Sequence, residues 1–146
     1  MKIFDKLQKS LLGFAIQFIK FIFLFVIMLL SLKGWFYYQR NYVCAPKIRR
    51  EIDSFIKEVM AKEYDNLLEK YKSAFTNEKH FYSIKKYFSK KYTVIISYWG
   101  PIWHAYCIVS FDGNHKFGFI LVPSEEPLFF TGKIKYSIKS IKEIKI

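Results

Sequence analysis

Residues 92–122 read YTVIISYWGPIWHAYCIVSFDGNHKFGFILV, and this stretch decides the fold. It is dominated by Val, Ile, Thr and aromatic residues, which suit a pleated, half-buried surface. Gly100-Pro101 interrupts the run after Trp99, and Asp112-Gly113-Asn114 interrupts it after Phe111. Asp-Gly between two β-rich runs is a strong hairpin signal, because both central positions of its turn favour positive φ. A further strand is expected within residues 128–138, LFFTGKIKYSI, beyond a Pro-bounded loop. The segment therefore reads as an antiparallel meander of three or four strands.

A two-residue turn at Asp-Gly puts Ile102, His104, Tyr106, Ile108 and Ser110 on one face with His115, Phe117, Phe119 and Leu121. It puts Trp103, Ala105, Cys107, Val109 and Phe111 on the other, with Gly118, Ile120 and Val122. Both faces are apolar. The side with Ala105, Cys107 and Gly118 allows a helix to approach closely, and the aromatic side needs a cover. Trp103, Tyr106, Phe117 and Phe119 are accordingly the candidate partner interface, with core packing as the rival reading. Lys133, Lys135 and Lys139 alternate with Ile134, Tyr136 and Ile138, the pattern of an edge strand guarded by lysines.

Upstream of the strands the period changes from two to about 3.6. Pro46 suits the first turn of a helix, where its missing N–H is not needed. Ile48, Ile52, Phe55, Ile56, Val59, Met60, Leu67, Leu68, Tyr71 and Phe75 then form one apolar stripe of a long amphipathic helix. A shorter helix follows in residues 78–91, EKHFYSIKKYFSKK, with Phe81, Ile84 and Phe88 on its apolar side. Lys85, Lys86, Lys90 and Lys91, interleaved with Tyr82, Tyr87 and Tyr92, are candidate contacts to anionic lipid headgroups. A solvated lysine face is the rival reading.

Residues 11–36 are of another kind. Their central run, 21–30, is FIFLFVIMLL and contains no polar residue. A membrane span needs about 20 predominantly apolar residues, and this segment supplies them. Lys20 opposes that reading, since a mid-membrane lysine costs about 2.5–3.5 kcal/mol while each Leu, Ile, Phe or Val returns about 0.3–0.6. The flanking apolar residues outweigh it, and a span shifted toward Trp35 lets Lys20 snorkel at the nearer interface. Trp35, Tyr37 and Tyr38, with Tyr42, then mark the far interface, with Lys33 and Arg40 reaching headgroups. The expected organisation is a short basic tail at 1–10, a transmembrane helix at 11–36, an aromatic neck at 37–45 and a small domain at 46–146.

The start of the chain resembles the leader of type IV pilins, in which a basic peptide ends in Gly and Phe and a hydrophobic helix follows. Lys2, Lys6 and Lys9, then Gly13 and Phe14, carry the resemblance. The glutamate which that family has at the fifth mature position is Phe18 here, and Lys20 lies within the helix. The resemblance implies a pilin-like subunit. A secretory cleavage site is not expected, because residues 30–42 are mostly bulky or aromatic.

Basic residues flank the apolar helix on both sides, so charge decides the orientation only narrowly. A short basic tail suits an anchor with its amino terminus inside, and Cys44 and Cys107, the two cysteines, both follow the span. An extracytoplasmic domain with a possible Cys44–Cys107 disulfide is expected.

Catalytic chemistry finds little support. Zinc needs three or four close ligands, and His104 and His115 fall several residue pairs apart. On a strand, His104 and Cys107 point to opposite faces, which disfavours a nucleophile and its base. Glu125 and Glu126, adjacent beside Pro127, do not flank one bond as acid and base. No enzyme, cofactor or metal site is expected.

The sequence expectation is an α+β chain: one transmembrane helix, a long amphipathic helix, a short helix and a three- or four-stranded antiparallel sheet. Its layout resembles the cystatin-like and pilin-like rolls in architecture, which does not fix function. The net charge of +12 admits nucleic acid as a partner, but a membrane anchor favours lipid. The expected function is a membrane-anchored, non-catalytic interaction or assembly module, with a bilayer and a membrane or envelope protein as partners. The alternatives are a headgroup binder acting through the lysine segment and a pilin-like subunit.

Overall fold

The computed structural model describes residues 2–99, 103–112, 114–124 and 133–145. The chain divides into two compact units, Met1–Tyr38 and Gln39–Ile146. The first is the helix α1, Lys2–Tyr38, and residues 2–10 of the expected basic tail belong to it. Within the helical stretch Ile3–Ala61, an 18-residue window has a mean hydropathy of 2.5 and none of it is buried. The chain thus has one N-terminal helix long and apolar enough to cross a membrane.

The second unit is α+β. It opens with a π-helical segment, Gln39–Cys44, followed by α2, Ala45–Ala61, with proline in its first turn. Helices α3, Tyr64–Tyr71, and α4, Glu78–Lys85, come next. Four strands then form one antiparallel sheet in chain order: β1, Tyr92–Trp99; β2, His104–Phe111; β3, His115–Pro123; and β4, Tyr136–Ile144.

The long amphipathic helix expected from the stripe is two helices. From Met60 to Leu67 the apolar spacing lapses through Ala61-Lys62-Glu63-Tyr64-Asp65-Asn66. Lys62 takes an extended backbone, φ −118° and ψ 159°. Restarting the helix at Tyr64 lets Leu67 and Tyr71 become buried, Tyr71 against Phe55. Asn77 starts α4 by accepting the His80 backbone N–H at 2.8 Å, which satisfies one of the donors a helix start leaves open.

Phe55 is the centre of the core. Its ring meets Tyr71 edge-on at 4.7 Å, stacks on Phe75 at 5.6 Å and meets Phe119 edge-on at 5.8 Å, so one side chain joins α2, α3 and the sheet. Phe88 extends the cluster by stacking on Phe111 at 4.7 Å.

The β2–β3 hairpin corrects the expected register. Phe111 pairs with His115, Val109 with Phe117 and Cys107 with Phe119, leaving three residues, 112–114, in the connection. Asp112 adopts φ 48°, and Gly113 lies outside the described residues. Because side chains alternate with a period of two, one residue more in the turn turns the whole of β3 over. Phe117, Phe119 and Leu121 therefore join Ala105, Cys107, Val109 and Phe111 beneath the helices, all fully buried. Ile120 and Val122 come out beside Tyr106 and Ile108. Burial of two phenylalanines and a leucine outweighs the local preference of Asp-Gly for a two-residue turn.

The last strand begins later than expected, at Tyr136, and reaches Ile144 with a register irregularity between Ile120 and Leu121. Lys139 and Lys142 are exposed on it, and β4 is an edge strand. The expected Gly100-Pro101 break, Ile102 and the acidic pair Glu125 and Glu126 lie outside the described residues.

Candidate interaction surface

Helices cover one face of the sheet, and the opposite face carries a set of apolar side chains. Ile95 pairs with Ile108, which pairs with Gly118; Ser97 pairs with Tyr106, which pairs with Ile120; Trp99 pairs with His104. In an antiparallel pair, directly opposed residues share a face. The alternation in β2 and β3, with odd positions buried and even positions mostly half-exposed, assigns these rows to the uncovered side. Ile95 is 61% exposed and Trp99 52%. Trp99 meets His104 edge-on at 5.4 Å. Thr93, Ser110 and Lys116 form the polar end of the face.

Of the four interface candidates read from the sequence, Tyr106 alone lies on this face. Trp103, Phe117 and Phe119 are buried, because the register that brings β3 under the helices takes its phenylalanines with it. Trp103 is held by its backbone at φ 52°, and its carbonyl accepts the Tyr136 hydroxyl at 2.9 Å. Ile95, Trp99, Ile108 and Ile120, which sequence reasoning missed, make up the surface instead. Their signal was the alternation of β1, in which Thr93, Ile95, Ser97 and Trp99 share one side.

The lysine segment does not form one patch. Lys85 turns toward the start of α3, donating to the Lys62 carbonyl at 2.8 Å and lying 3.5 Å from Glu63. Lys86 lies over the Tyr87 ring at 4.6 Å. Lys90 and Lys91 are exposed, and Lys90 lines a groove beside Arg49 and Arg50.

The expected membrane-interface residues belong to α1. Lys20 and Lys33 are exposed, as are Tyr37 and Tyr38, and Trp35 is half-buried. Trp35 meets Phe36 edge-on at 5.3 Å.

Cys44 and Cys107 are fully buried, and neither is in a disulfide. They share surroundings: burial first, and then both sulfurs, disfavour the charged forms of Tyr98 and Tyr136, and Tyr136 lies within hydrogen-bonding reach of Cys44. Burial pushes the Cys107 thiol up to about 12, so at neutral pH it is a thiol and a poor nucleophile. His104 sits on the uncovered face and Cys107 on the covered one. His115 stacks on Tyr87 at 4.0 Å and pairs with Phe111, on the face opposite His104. Among the described residues no three His, Cys, Asp or Glu side chains converge as a metal site would require.

Among the described residues, Glu58 gathers the most hydrogen-bond partners of any acid. It accepts from Lys70, from Lys62 at 3.1 Å, from Tyr71 at 3.1 Å and from Ser54 at 3.4 Å. The Lys70 hydrogen bond leads in drawing its carboxyl down to about 2. These contacts tie α2 to α3.

The fold and surface define a class: an α+β unit with a four-stranded meander, helices on one face and an apolar opposite face, preceded by one long apolar helix. In comparisons with known proteins the chain matches no family model, no curated protein and no solved structure.

Proposed function

We propose that this chain is a membrane-anchored, non-catalytic interaction module, an accessory or assembly subunit of an envelope complex. Helix α1 spans the bilayer, and the uncovered sheet face docks a membrane or envelope protein. The observation that carries this reading is the apolar face itself, where Ile95 and Trp99 are more than half exposed beside Tyr106, Ile108 and Ile120. Apolar side chains grouped on one sheet face, unlike ones scattered singly, are a feature of interaction sites. The anchor is supported by α1, whose apolar side chains, Phe14, Phe21, Phe23 and Leu24 among them, are mostly exposed. In water that surface is unfavourable, and in hydrocarbon it is not.

Photo-crosslinking in intact cells tests the docking face. A benzophenone side chain placed at Ile95, Trp99 or Ile108 should give a discrete crosslinked product, whereas one at Lys57 or Lys72 should not. Equal labelling from both sets would refute the docking face. Alkaline extraction tests the anchor, with the chain expected in the membrane pellet and its release arguing against a span.

A further inference from the structure

A groove of about 690 Å³ lies between α2 and β1. Arg49, Arg50 and Asp53 line it from α2, Lys90 lines it from the approach to the sheet, and Tyr92 and Thr93 line it from β1. Among these residues Asp53 is the one acid, and both its oxygens are engaged. Its Oδ1 accepts the Tyr92 hydroxyl at 2.7 Å, and its Oδ2 accepts Lys57 Nζ at 2.6 Å. Three cations thus converge on a groove whose single carboxylate is already shared with a fourth. Arg49 is held toward the sheet by donating to the Val94 carbonyl at 3.3 Å. That neutral, long contact is weaker than one to an ionised oxygen.

Two guanidinium groups and an ammonium around one concavity are the donors that recognise a phosphate. The planar fork of arginine pairs bidentately with phosphate oxygens, and lysine adds a point charge. An anion there relieves the mutual repulsion of the three cations.

We propose that this groove is a phosphate-binding site and that its occupant is the headgroup of an anionic phospholipid. The lipid source rests on the anchoring of α1 proposed above. Arg49 follows the last residue of α1 by eleven positions, so chain length alone keeps it within about 40 Å of that point. A bilayer surface offers phosphate at high local concentration, and its anionic leaflet attracts juxtamembrane basic groups. The site differs from the basic segment suggested by the sequence, because it takes Lys90 from that segment and both arginines from α2.

The test uses the full-length chain in nonionic micelles, titrated with dihexanoyl phosphatidylglycerol, dihexanoyl phosphatidylcholine and inorganic phosphate. The wild type should bind phosphatidylglycerol at least about ten-fold more tightly than the other two, and R49Q/R50Q/K90Q should lose about ten-fold or more of that affinity. The charge-matched variant K72Q/K79Q/K139Q should bind as the wild type does. Equal loss in both variants, or no loss in the first, would overturn the site. Inorganic phosphate binding as tightly as phosphatidylglycerol would overturn the lipid source. Arg49, Arg50 and Lys90 are exposed, and unchanged thermal melting of the variant confirms that binding, not folding, is being read. Alkaline extraction of wild-type membranes judges the anchor separately, since the micelle titration reads the groove whether or not α1 spans a bilayer.

Discussion

The ring of Tyr106 lies across Gly118 on the uncovered face of the sheet, where its Cε2 and Cζ atoms come within 2.9 Å of the position a Cβ would take. Tyr106 in β2 and Gly118 in β3 are diagonal neighbours, so the ring fills the space that a missing side chain leaves. An aromatic side chain beside a strand glycine restores packing that the glycine forgoes. G118A should therefore lower stability, by about 1–3 kcal/mol from overpacking, despite the better strand propensity of alanine. Thermal melting checks it, and Y106A/G118A should recover most of the loss. A stabilised G118A protein would show that the ring moves aside freely.

Phe55 joins three parts of the core through ring contacts with Tyr71, Phe75 and Phe119. F55A should cost about 3–5 kcal/mol, enough to unfold a small domain of ordinary stability. F55L keeps most of the volume and should remain folded with a lowered melting temperature. Loss of near-ultraviolet circular dichroism in F55A, with retention in F55L, is the expected pair of results.

Two pH limbs follow from the shifted groups. The Glu58 carboxyl stands at about 2 in the fold against an ordinary 4.5. Its contribution is present above about pH 4.5 and disappears as the pH falls toward 2. Glu58 is partly exposed, so solvent screening discounts that contribution to about 1 kcal/mol. E58Q should be less stable at pH 7 and should lose part of the acid-induced fall in melting temperature. A parallel fall in both proteins would show that Glu58 is not linked to folding.

At the other limb, burial pushes Cys107 up to about 12 from an ordinary 9.0, and burial with the Asp53 hydrogen bond pushes Tyr92 up to about 12 from 10.0. Below pH 9 both groups are protonated in the folded and unfolded states. Between pH 9 and 12 the unfolded chain ionises first, so stability falls as pH rises. With both cysteines kept reduced, C107A should flatten the lower part of this alkaline limb. An unchanged slope would place the Cys107 thiol in contact with water.

Much of the fold was legible because two periodicities changed clearly along the chain. The apolar stripe from Ile48 to Val59 marks α2, and the Val, Ile and aromatic runs mark all four strands of the sheet, with β4 displaced toward the C-terminus. What escaped was long-range. The Asp-Gly signal is local, whereas the register depends on how much of Phe117, Phe119 and Leu121 the helices can bury, so a single residue in the turn exchanged the two faces of β3. The break at Lys62 was visible only as a lapse in spacing, which a long stripe hides. The uncovered face was legible only in the alternation of β1, because its β3 residues were hidden together with the register. The groove at Arg49 and Arg50 needs α2 set beside β1, a tertiary fact that no run of charge encodes.

The proposed extracytoplasmic orientation has a chemical counterpart in Cys44 and Cys107. Both sulfurs influence Tyr98 and Tyr136, so one region of the core holds both thiols, and both are fully buried. The two cysteines are unbridged in this structure; a thiolate is the species that attacks a disulfide, and burial holds the folded Cys107 as a thiol, so a bridge between them would have to form before the core closes. Secretion into an oxidising compartment supplies that opportunity, and the cytoplasm does not. A periplasmic-type reporter fused after Ile146 should therefore be active and a cytoplasmic-type reporter silent. The chain denatured without reductant should take up no maleimide polymer, and after reduction it should take up two. A cytoplasmic result, with two reactive thiols before reduction, would remove the bridge. It would also remove the envelope partner and move the docking face to the inner side of the membrane.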